Sequence, residues 1–137
     1  MVKRYLLDTD ILIAMLRDRT DRTGLRAKAL RVGLEHCFVS SISLAELYSG
    51  AYRMPSERGL HEAAFISAIF NILPFEPEAA ESFGRDKAFL DGTGMPLADM
   101  DLLIGASAKN GGMTMVTHNV RHFSRIPGLT VEDWLEM

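Results

Sequence analysis

Several carboxylates of this 137-residue chain lie at the ends of otherwise apolar stretches. An ionised carboxylate beside a hydrophobic core costs free energy unless it is paired or binds a cation. A single shared metal ion explains several such placements in one small chain, so the sequence predicts a metal site. The residues concerned are Asp8, Asp10, Glu46, Asp99 and Asp101.

The ligand chemistry indicates Mg²⁺ or Mn²⁺ rather than zinc. The candidate ligands are all oxygens, and the four histidines show no HExxH or similar spacing. Of these histidines, His118 is a candidate neighbour of the site, although a surface or packing role is the favoured interpretation. A divalent ion held by carboxylates commonly serves phosphate chemistry, because it polarises a phosphoryl oxygen and lowers the pKa of a bound water.

Three of these acids, Asp8, Asp10 and Asp99, also suit a simpler role as helix N-caps. In that role a side-chain oxygen accepts a hydrogen bond from a free backbone N–H. One cap is enough for the helix that follows Asp10, so capping leaves either Asp8 or Asp10 unexplained. We therefore assign Asp8 to the metal and Asp10 to capping or support. Asp99 is the predicted N-cap of the next acidic helix.

Glu46 and Asp101 have competing interpretations as well. Ser43-x-x-Glu46 has the pattern of a capping box, and by itself Glu46 is better explained in that way. Asp101 begins a helix that is apolar on nearly all sides, where the helix dipole favours a carboxylate by roughly 0.3–1 kcal/mol. Taken together with the other acids, both are predicted metal ligands.

A basic stretch follows the first acidic pair. The net charge is −3, so a nucleic-acid role needs a local basic patch or a metal bridge rather than bulk charge. A charge-rich segment is usually a solvated face, but one that follows a metal site is also a candidate phosphate path. The candidate contacts to the phosphates of a nucleic acid are Arg17, Arg19, Arg22 and Arg26, with Arg121 and Arg125 as further basic positions.

The composition predicts one globular domain over residues 1–137, with 47% hydrophobic and 24% charged residues. Cys37 is the single cysteine, which excludes an intrachain disulfide and permits a reducing compartment. No apolar run approaches the roughly 20 residues of a membrane span. Asp8 and Asp10 interrupt the one segment that imitates a signal peptide. We expect a cytoplasmic protein with no membrane association.

Short apolar runs alternate with helical patterns, which predicts a parallel sheet covered on both faces. In such sheets, sites form beyond the carboxyl ends of the strands, where Asp8, Ser40 and Thr117 fall. The predicted strands cover 5–7, 37–40, 113–117 and 129–131, with a brief edge strand at 73–75. The predicted helices cover 11–17, 24–35, 43–52, 57–71, 77–90 and 99–110.

The acidic residues belong to four short motifs that follow one another along almost the whole chain. The motifs are Leu6-Leu7-Asp8-Thr9-Asp10, Ser43-Leu44-Ala45-Glu46-Leu47 with Gly50, the run from Asp101 to Ala108, and Val116-Thr117-His118-Asn119 with Phe123, Pro127-Gly128-Leu129 and Trp134. Each is weak alone, but all four in order are specific. With them the chain resembles the PIN-domain nucleases, and most closely the VapC toxins of prokaryotic toxin–antitoxin pairs.

This resemblance implies a PIN-like three-layer sandwich with a five-stranded parallel sheet, and an endoribonuclease dependent on Mg²⁺ or Mn²⁺. It places Asp8, Glu46 and Asp101 at the family's metal-site positions. Some members have an aspartate where this chain has Asn119, and an amide carries no charge. It also implies a homodimer blocked by a cognate VapB-like antitoxin. The predicted supporting residues are Asp10, Asp99, Thr9, Ser43, Thr117 and Asn119.

Two alternatives to a ribonuclease remain open at the level of sequence. A haloacid dehalogenase-like phosphatase also uses two acids after a strand, but Ile11-Leu12 fits its pattern poorly and 137 residues leave little room for a cap domain. A non-catalytic PIN-like domain would use the acids only to bind an ion or a partner, and Asn119 keeps that alternative open.

Overall fold

The computed structural model describes residues 2–54 and 56–135. Within them the strands are β1 (Tyr5–Leu7), β2 (Cys37–Ser40), β3 (Asn71–Leu73), β4 (Thr114–Val116) and β5 (Val131–Glu132). The helices in the same residues are α1 (Thr9–Arg17), α2 (Leu25–Val32), α3 (Ser41–Arg53), α4 (Glu57–Ile69), α5 (Pro77–Gly92), α6 (Asp99–Asn110) and α7 (Val120–Phe123).

The strands form a parallel five-stranded sheet in the order β3-β2-β1-β4-β5. Tyr5 in the central strand pairs with Cys37 of β2 on one side and with Thr114 of β4 on the other. Parallel neighbours need crossover connections, and the helices supply them. The predicted α/β class and five-stranded parallel sheet are therefore confirmed.

Successive side chains of β1 point to opposite faces of the sheet, and each face carries its own core. Leu7 packs with Ile11 among residues of α1, α2 and α4, whereas Leu6 packs with Leu102 among residues of α5, α6 and α7. Full burial of such a side chain stabilises the fold by about 1.5–3 kcal/mol. The result is the predicted three-layer sandwich. In the described part of the chain, none of the helices has the length and apolarity that crossing a membrane requires.

The second predicted helix, 24–35, is wrong in its last three residues. The helix α2 ends at Val32, and Leu34–His36 forms a separate 3₁₀ turn. Gly33 between them has φ +96°, and a Cβ there would lie 2.5 Å from Glu35 Oε1. The positive φ favours glycine and ends the helix there, whereas the exposed end of the Glu35 side chain can move aside.

The two edge strands are displaced from their predicted positions, and α7 was not predicted. The edge strand β3 covers Asn71–Leu73 instead of 73–75, because Pro74 has no N–H to donate to the sheet. The last strand is Val131–Glu132 instead of 129–131, and it is held by the bond from Thr117 N to Glu132 O. Helix α7 is only four residues long, too short for a periodic signal.

Candidate active site

The sheet reverses its order of connection between β1 and β4, and this is where ligands bind in open α/β sheets. The chain moves from β1 outward to β2 and β3, then crosses back through α5 and α6 to β4 on the other side of β1. Asp8 follows β1 directly, and its N–H donates to Val116 O at the end of β4 at 2.8 Å. The carboxylate of Asp8 therefore lies at the reversal point.

Asp8 is a buried carboxylate with only uncharged donors around it. It is 6% exposed and caps α1. Its Oδ1 accepts from Thr9 N, and its Oδ2 accepts from the buried Thr117 hydroxyl, both at 2.8 Å. Burial, and next the negative charge of Asp10, raise the pKa of Asp8 to about 7, although these two hydrogen bonds oppose the shift.

Asp10 has a carboxylate oxygen that lacks a partner. Its Oδ2 accepts from His118 N at 3.2 Å and lies 3.5 Å from the Thr117 hydroxyl. Its Oδ1 is buried and, within the described residues, accepts no hydrogen bond. A buried acceptor without a partner costs free energy that a bound cation would recover. Since Asp8 is the N-cap of α1, the predicted capping role of Asp10 is wrong.

Asp101 completes a set of three neighbouring acids, which we call the acidic edge: Asp8, Asp10 and Asp101. It lies half-buried in the first turn of α6. Burial raises the pKa of its carboxyl, His122 opposes that shift, and the charge of Asp10 adds to it. These interactions show that α1, α6 and α7 bring their polar side chains to the same place.

Glu46 is held beside the acidic edge through a hydroxyl group. The hydroxyl of Thr9 donates to Glu46 Oε1 at 2.7 Å and lies 3.0 Å from the buried hydroxyl of Ser43. Because Thr9 follows Asp8 in the chain, this contact links α3 to the end of β1. The Ser43–Glu46 capping box is wrong, since Ser40 caps α3 by accepting from the N–H groups of Ile42 and Ser43.

Asp99 does not take the position predicted for it. The N-cap of α6 is Ala98, which offers no side-chain oxygen, so the predicted capping role of Asp99 is wrong. Its Oδ1 lies 3.0 Å from Lys87 Nζ, and its side chain is 64% exposed. The contact observed for this carboxylate is thus a surface ion pair with α5.

The basic segment after α1 is organised by its own acids. Asp18 accepts from the backbone N–H groups of Arg22 and Thr23, and Asp21 accepts from those of Arg26 and Ala27. The Arg26 guanidinium donates to Met15 O at 2.8 Å, which fixes it to α1.

One of the predicted RNA contacts, Arg17, lines a groove. This groove, which Glu46 also lines, has a volume of about 420 Å³ and lies between α1, α3 and the start of α4. Arg58 also lines this groove, and sequence reasoning did not select it. Arg19 and Arg22 are exposed. The groove joins one predicted basic contact to one predicted acidic residue.

The acidic edge suits a hard divalent cation by the chemistry of its donors. Within the described residues, no three Asp, Glu, His or Cys side chains already surround a common point at ligand distances. Even so, Asp10 has an unpartnered oxygen, and burial, together with the negative charge of Asp10, raises the pKa values of Asp8 and Asp101. Oxygen ligands of this kind favour Mg²⁺ or Mn²⁺.

His122 is the neighbour of the site that sequence reasoning missed. Its Nδ1 lies 2.5 Å from Asn119 Nδ2, and its charge lowers the pKa of Asp101. The available signal was the spacing of three residues between Asn119 and His122, which places both on one side of a helical turn. The histidine that the sequence offered as a neighbour of the site was His118. Its Nδ1 lies 2.9 Å from Asp133 Oδ2.

The chain is similar to known proteins over almost its whole length. The PIN domain family matches residues 5–129. The chain is 32% identical over 133 residues to the "Ribonuclease VapC2" of Haemophilus influenzae, covering 96% of this chain and 98% of that protein. It is 30% identical over 132 residues to the "tRNA(fMet)-specific endonuclease VapC" of Salmonella typhimurium, with the same coverage.

A solved structure shows the same fold. The VapBC2 complex of Rickettsia felis, solved bound to a DNA fragment from its promoter, matches with a TM-score of 0.85 and 26% identity, over 95% of this chain and 98% of that one. The order of the strands, the acids at the reversal point and these relatives all lead to one conclusion. The chain belongs to the PIN domain family.

Proposed function

We propose that this chain is a metal-dependent endoribonuclease, and the toxin of a VapBC-type toxin–antitoxin pair, that hydrolyses RNA phosphodiester bonds. Its relatives carry the names of ribonucleases and an endonuclease. The observation that carries the metal-dependent part is the buried, unpartnered Oδ1 of Asp10 between two carboxylates whose pKa values are raised. Such a site is stabilised by a cation rather than by the fold itself.

Asp8, Asp10 and Asp101 would hold the Mg²⁺ or Mn²⁺ ion, with Glu46 beside them. When bound, the ion supplies positive charge next to the phosphate and makes a nearby water more acidic. Sequence analysis assigned the ion to Asp8, Glu46 and Asp101, and the Asp10 oxygen adds a fourth carboxylate to this proposal.

The remaining residues position the substrate and the acids. Thr9 fixes one oxygen of Glu46, so that the carboxylate can orient a water and accept its proton. Thr117 holds Asp8 from the opposite side. The groove beside Glu46 would take the RNA strand, with Arg17 against its phosphates. Arg19, Arg22 and Arg26 are further proposed RNA contacts.

The solved relative suggests the biological setting. Its complex carries the name VapBC2, and the protein was crystallised with promoter DNA. We extend this to a cognate VapB-like antitoxin that blocks the acidic edge, to a homodimer, and to action in the cytoplasm, where cellular RNA is found.

The test is cleavage of total RNA by the purified chain with Mg²⁺, compared with EDTA and with Asp8→Asn and Asp101→Asn. We expect cleavage by the wild type with Mg²⁺ and a loss of at least about 100-fold in each other case. Asp91→Asn, which removes an exposed carboxylate of α5, is the matched control and should keep full activity.

Equal cleavage by the wild type and both variants would show that these acids do not carry the reaction. Binding of Mn²⁺ without cleavage of any RNA class would favour the non-catalytic PIN-like domain instead. An acyl phosphate trapped on Asp8 would favour the phosphatase.

A further inference from the structure

The hydrogen-bond donors around the acidic edge are nearly all committed to the acids themselves. The Thr9 hydroxyl is used by Glu46, the Thr117 hydroxyl by Asp8, and the His118 N–H by Asp10. Ionised carboxylates only accept hydrogen bonds. A phosphodiester bound here would therefore meet acceptors on several sides, and its own oxygens also need donors.

His122 offers the donor that this site otherwise lacks. It lies half-buried on α7, and its partner Asn119 donates its backbone N–H at 2.9 Å to the Thr117 hydroxyl, which in turn donates to Asp8 of the acidic edge. Within residues 2–54 and 56–135, its Nδ1 contacts the Asn119 amide, whereas its Nε2 takes part in no hydrogen bond or ion pair.

The contact with the Asn119 amide bears on where the His122 ring carries its proton. In the orientation assigned to this amide, Nδ2 faces Nδ1 of the ring at 2.5 Å. An amide NH₂ group only donates, so in this orientation a neutral ring accepts at Nδ1 and carries its proton on Nε2, and a protonated ring carries a proton on Nε2 as well. Asn119, placed by sequence analysis where some relatives have an acid, would thus act through His122.

We propose that the Nε2–H of His122 donates a hydrogen bond to a non-bridging oxygen of the scissile phosphate. In the hydrolysis, the water oxygen forms a bond to phosphorus while the bond to the leaving ribose oxygen breaks, and that oxygen leaves with a proton. Negative charge on the non-bridging oxygens must be stabilised throughout. This inference rests on the proposed function and assigns His122 to the substrate rather than to the metal.

The test compares His122→Ala with His122→Gln, which keeps an N–H donor, on an oligoribonucleotide with one cleavage site in Mn²⁺. We expect His122→Ala to lower kcat/KM by about 100-fold and His122→Gln to recover at least tenfold of that loss. Mn²⁺ affinity, measured by electron paramagnetic resonance, should stay unchanged in both variants. His36→Ala, before β2 at the opposite edge of the sheet, is the matched control.

Sulfur substitution at the scissile phosphate identifies the contact directly. Sulfur accepts hydrogen bonds poorly, so one of the two phosphorothioate diastereomers should slow the wild type and have little further effect on His122→Ala. If sulfur slows both proteins by the same factor at both positions, the contact does not exist. If His122→Ala proves unfolded by circular dichroism, the same comparison with His122→Phe, which fills the space of the ring without an N–H donor, decides.

Two other results would overturn the inference in different ways. A fall in Mn²⁺ affinity that matches the fall in kcat/KM would make His122 a metal ligand. Full activity of His122→Ala, with Asp101→Asn inactive, would remove only His122 from the reaction. A wild type that cleaves no RNA would remove the proposed function and this inference together.

Discussion

The acidic edge and the packing of α5 against α6 both bury a carboxylate, but they neutralise it in different ways. Asp86 of α5 is 3% exposed, and its two oxygens lie 3.0 and 3.2 Å from Lys109 Nζ of α6. Asp8 is 6% exposed and has hydroxyl and N–H donors, and within residues 2–54 and 56–135 it forms no ion pair with a cationic side chain. The fold supplies a positive charge at the first place, whereas at the second the proposed metal ion would supply it.

The carboxylate of Asp86 is thus neutralised within the packed fold, whereas that of Asp8 is not. Burial of a charge is tolerated when its partner belongs to the same packed core. At the acidic edge, the repulsion between Asp8 and Asp10 is retained, and Asp10 keeps an unpartnered oxygen. A site that is costly to the metal-free fold becomes favourable when a ligand arrives. The next experiments test this comparison.

The largest expected effect is at the buried pair of Asp86 and Lys109. Asp86→Ala leaves the Lys109 ammonium, 23% exposed, without its buried partner, and should lower the free energy of unfolding by about 3 kcal/mol. Urea denaturation measures this change. Arg85→Ala, which removes only an exposed pair with Glu81 on the same helix, should cost about 0.5 kcal/mol or less. Equal losses of unfolding free energy in the two variants would show that the buried Asp86–Lys109 pair stabilises the fold no more than an exposed pair does.

Mg²⁺ binding at the acidic edge should stabilise the folded chain by a similar amount. Mg²⁺ at 100 times its Kd should raise the free energy of unfolding by about 2.7 kcal/mol. Asp10→Asn should lose most of this gain, whereas Asp86→Ala should keep it, because its carboxylate is not at the acidic edge. Thermal unfolding with and without Mg²⁺ measures both. The same Mg²⁺ gain in Asp10→Asn would contradict the proposed ligand set.

The pH dependence of the metal-free chain should follow Asp8. Its pKa is about 7 in the folded chain and about 3.9 when unfolded, so the folded state binds more protons between these values. Stability should therefore fall as the pH rises from 4 to 7, by at most about 1.4 kcal/mol per pH unit. Urea denaturation in EDTA measures the slope, which should flatten in Asp8→Asn. An unchanged slope in that variant would assign it to other groups.

The smallest expected effect is at the exposed pair of Lys87 and Asp99. Both side chains are well exposed, so Lys87→Ala should change the Tm little, and any change should shrink with added salt. Differential scanning fluorimetry at two salt concentrations checks this. A large, salt-independent loss would mean that Asp99 has a structural role that its exposure does not indicate.

Most of the fold could be predicted from the sequence, because each central strand carries a strong local signal. Tyr5–Leu7 and Cys37–Ser40 were predicted with the bounds observed, and so was Asp99–Asn110. The errors fall where local signals are weak. The edge strands β3 and β5 are only three and two residues long, and α7 is one short turn. The end of α2 lies at Gly33, whose φ of +96° ends the helix inside a segment that was predicted to be helical throughout.

The residue types of the candidate site were predicted, but not which residue forms which contact. From spacing alone, Ser43 was predicted to cap α3, and Asp10 was predicted to cap α1 or to support the site. The structure instead makes Ser40 and Asp8 the caps and leaves Asp10 with an unpartnered oxygen. His122 escaped notice because its nearness to Asp101 depends on how α7 packs beside α6. The roles of Asp8, Glu46 and Asp101 as metal ligands remain predictions.

The sequence by itself determined the alternation of strands and helices, the family motifs and the set of acids, since each of these depends on neighbours along the chain. Only the tertiary structure decided which carboxylate receives a charged partner. Asp86 meets Lys109 and Asp99 meets Lys87 through the packing of α5 against α6, whereas Asp8 and Asp10, already neighbours in the sequence, receive hydroxyl and N–H donors from the residues that follow β4. Electrostatic energy depends on distance in space, and the sheet order sets that distance.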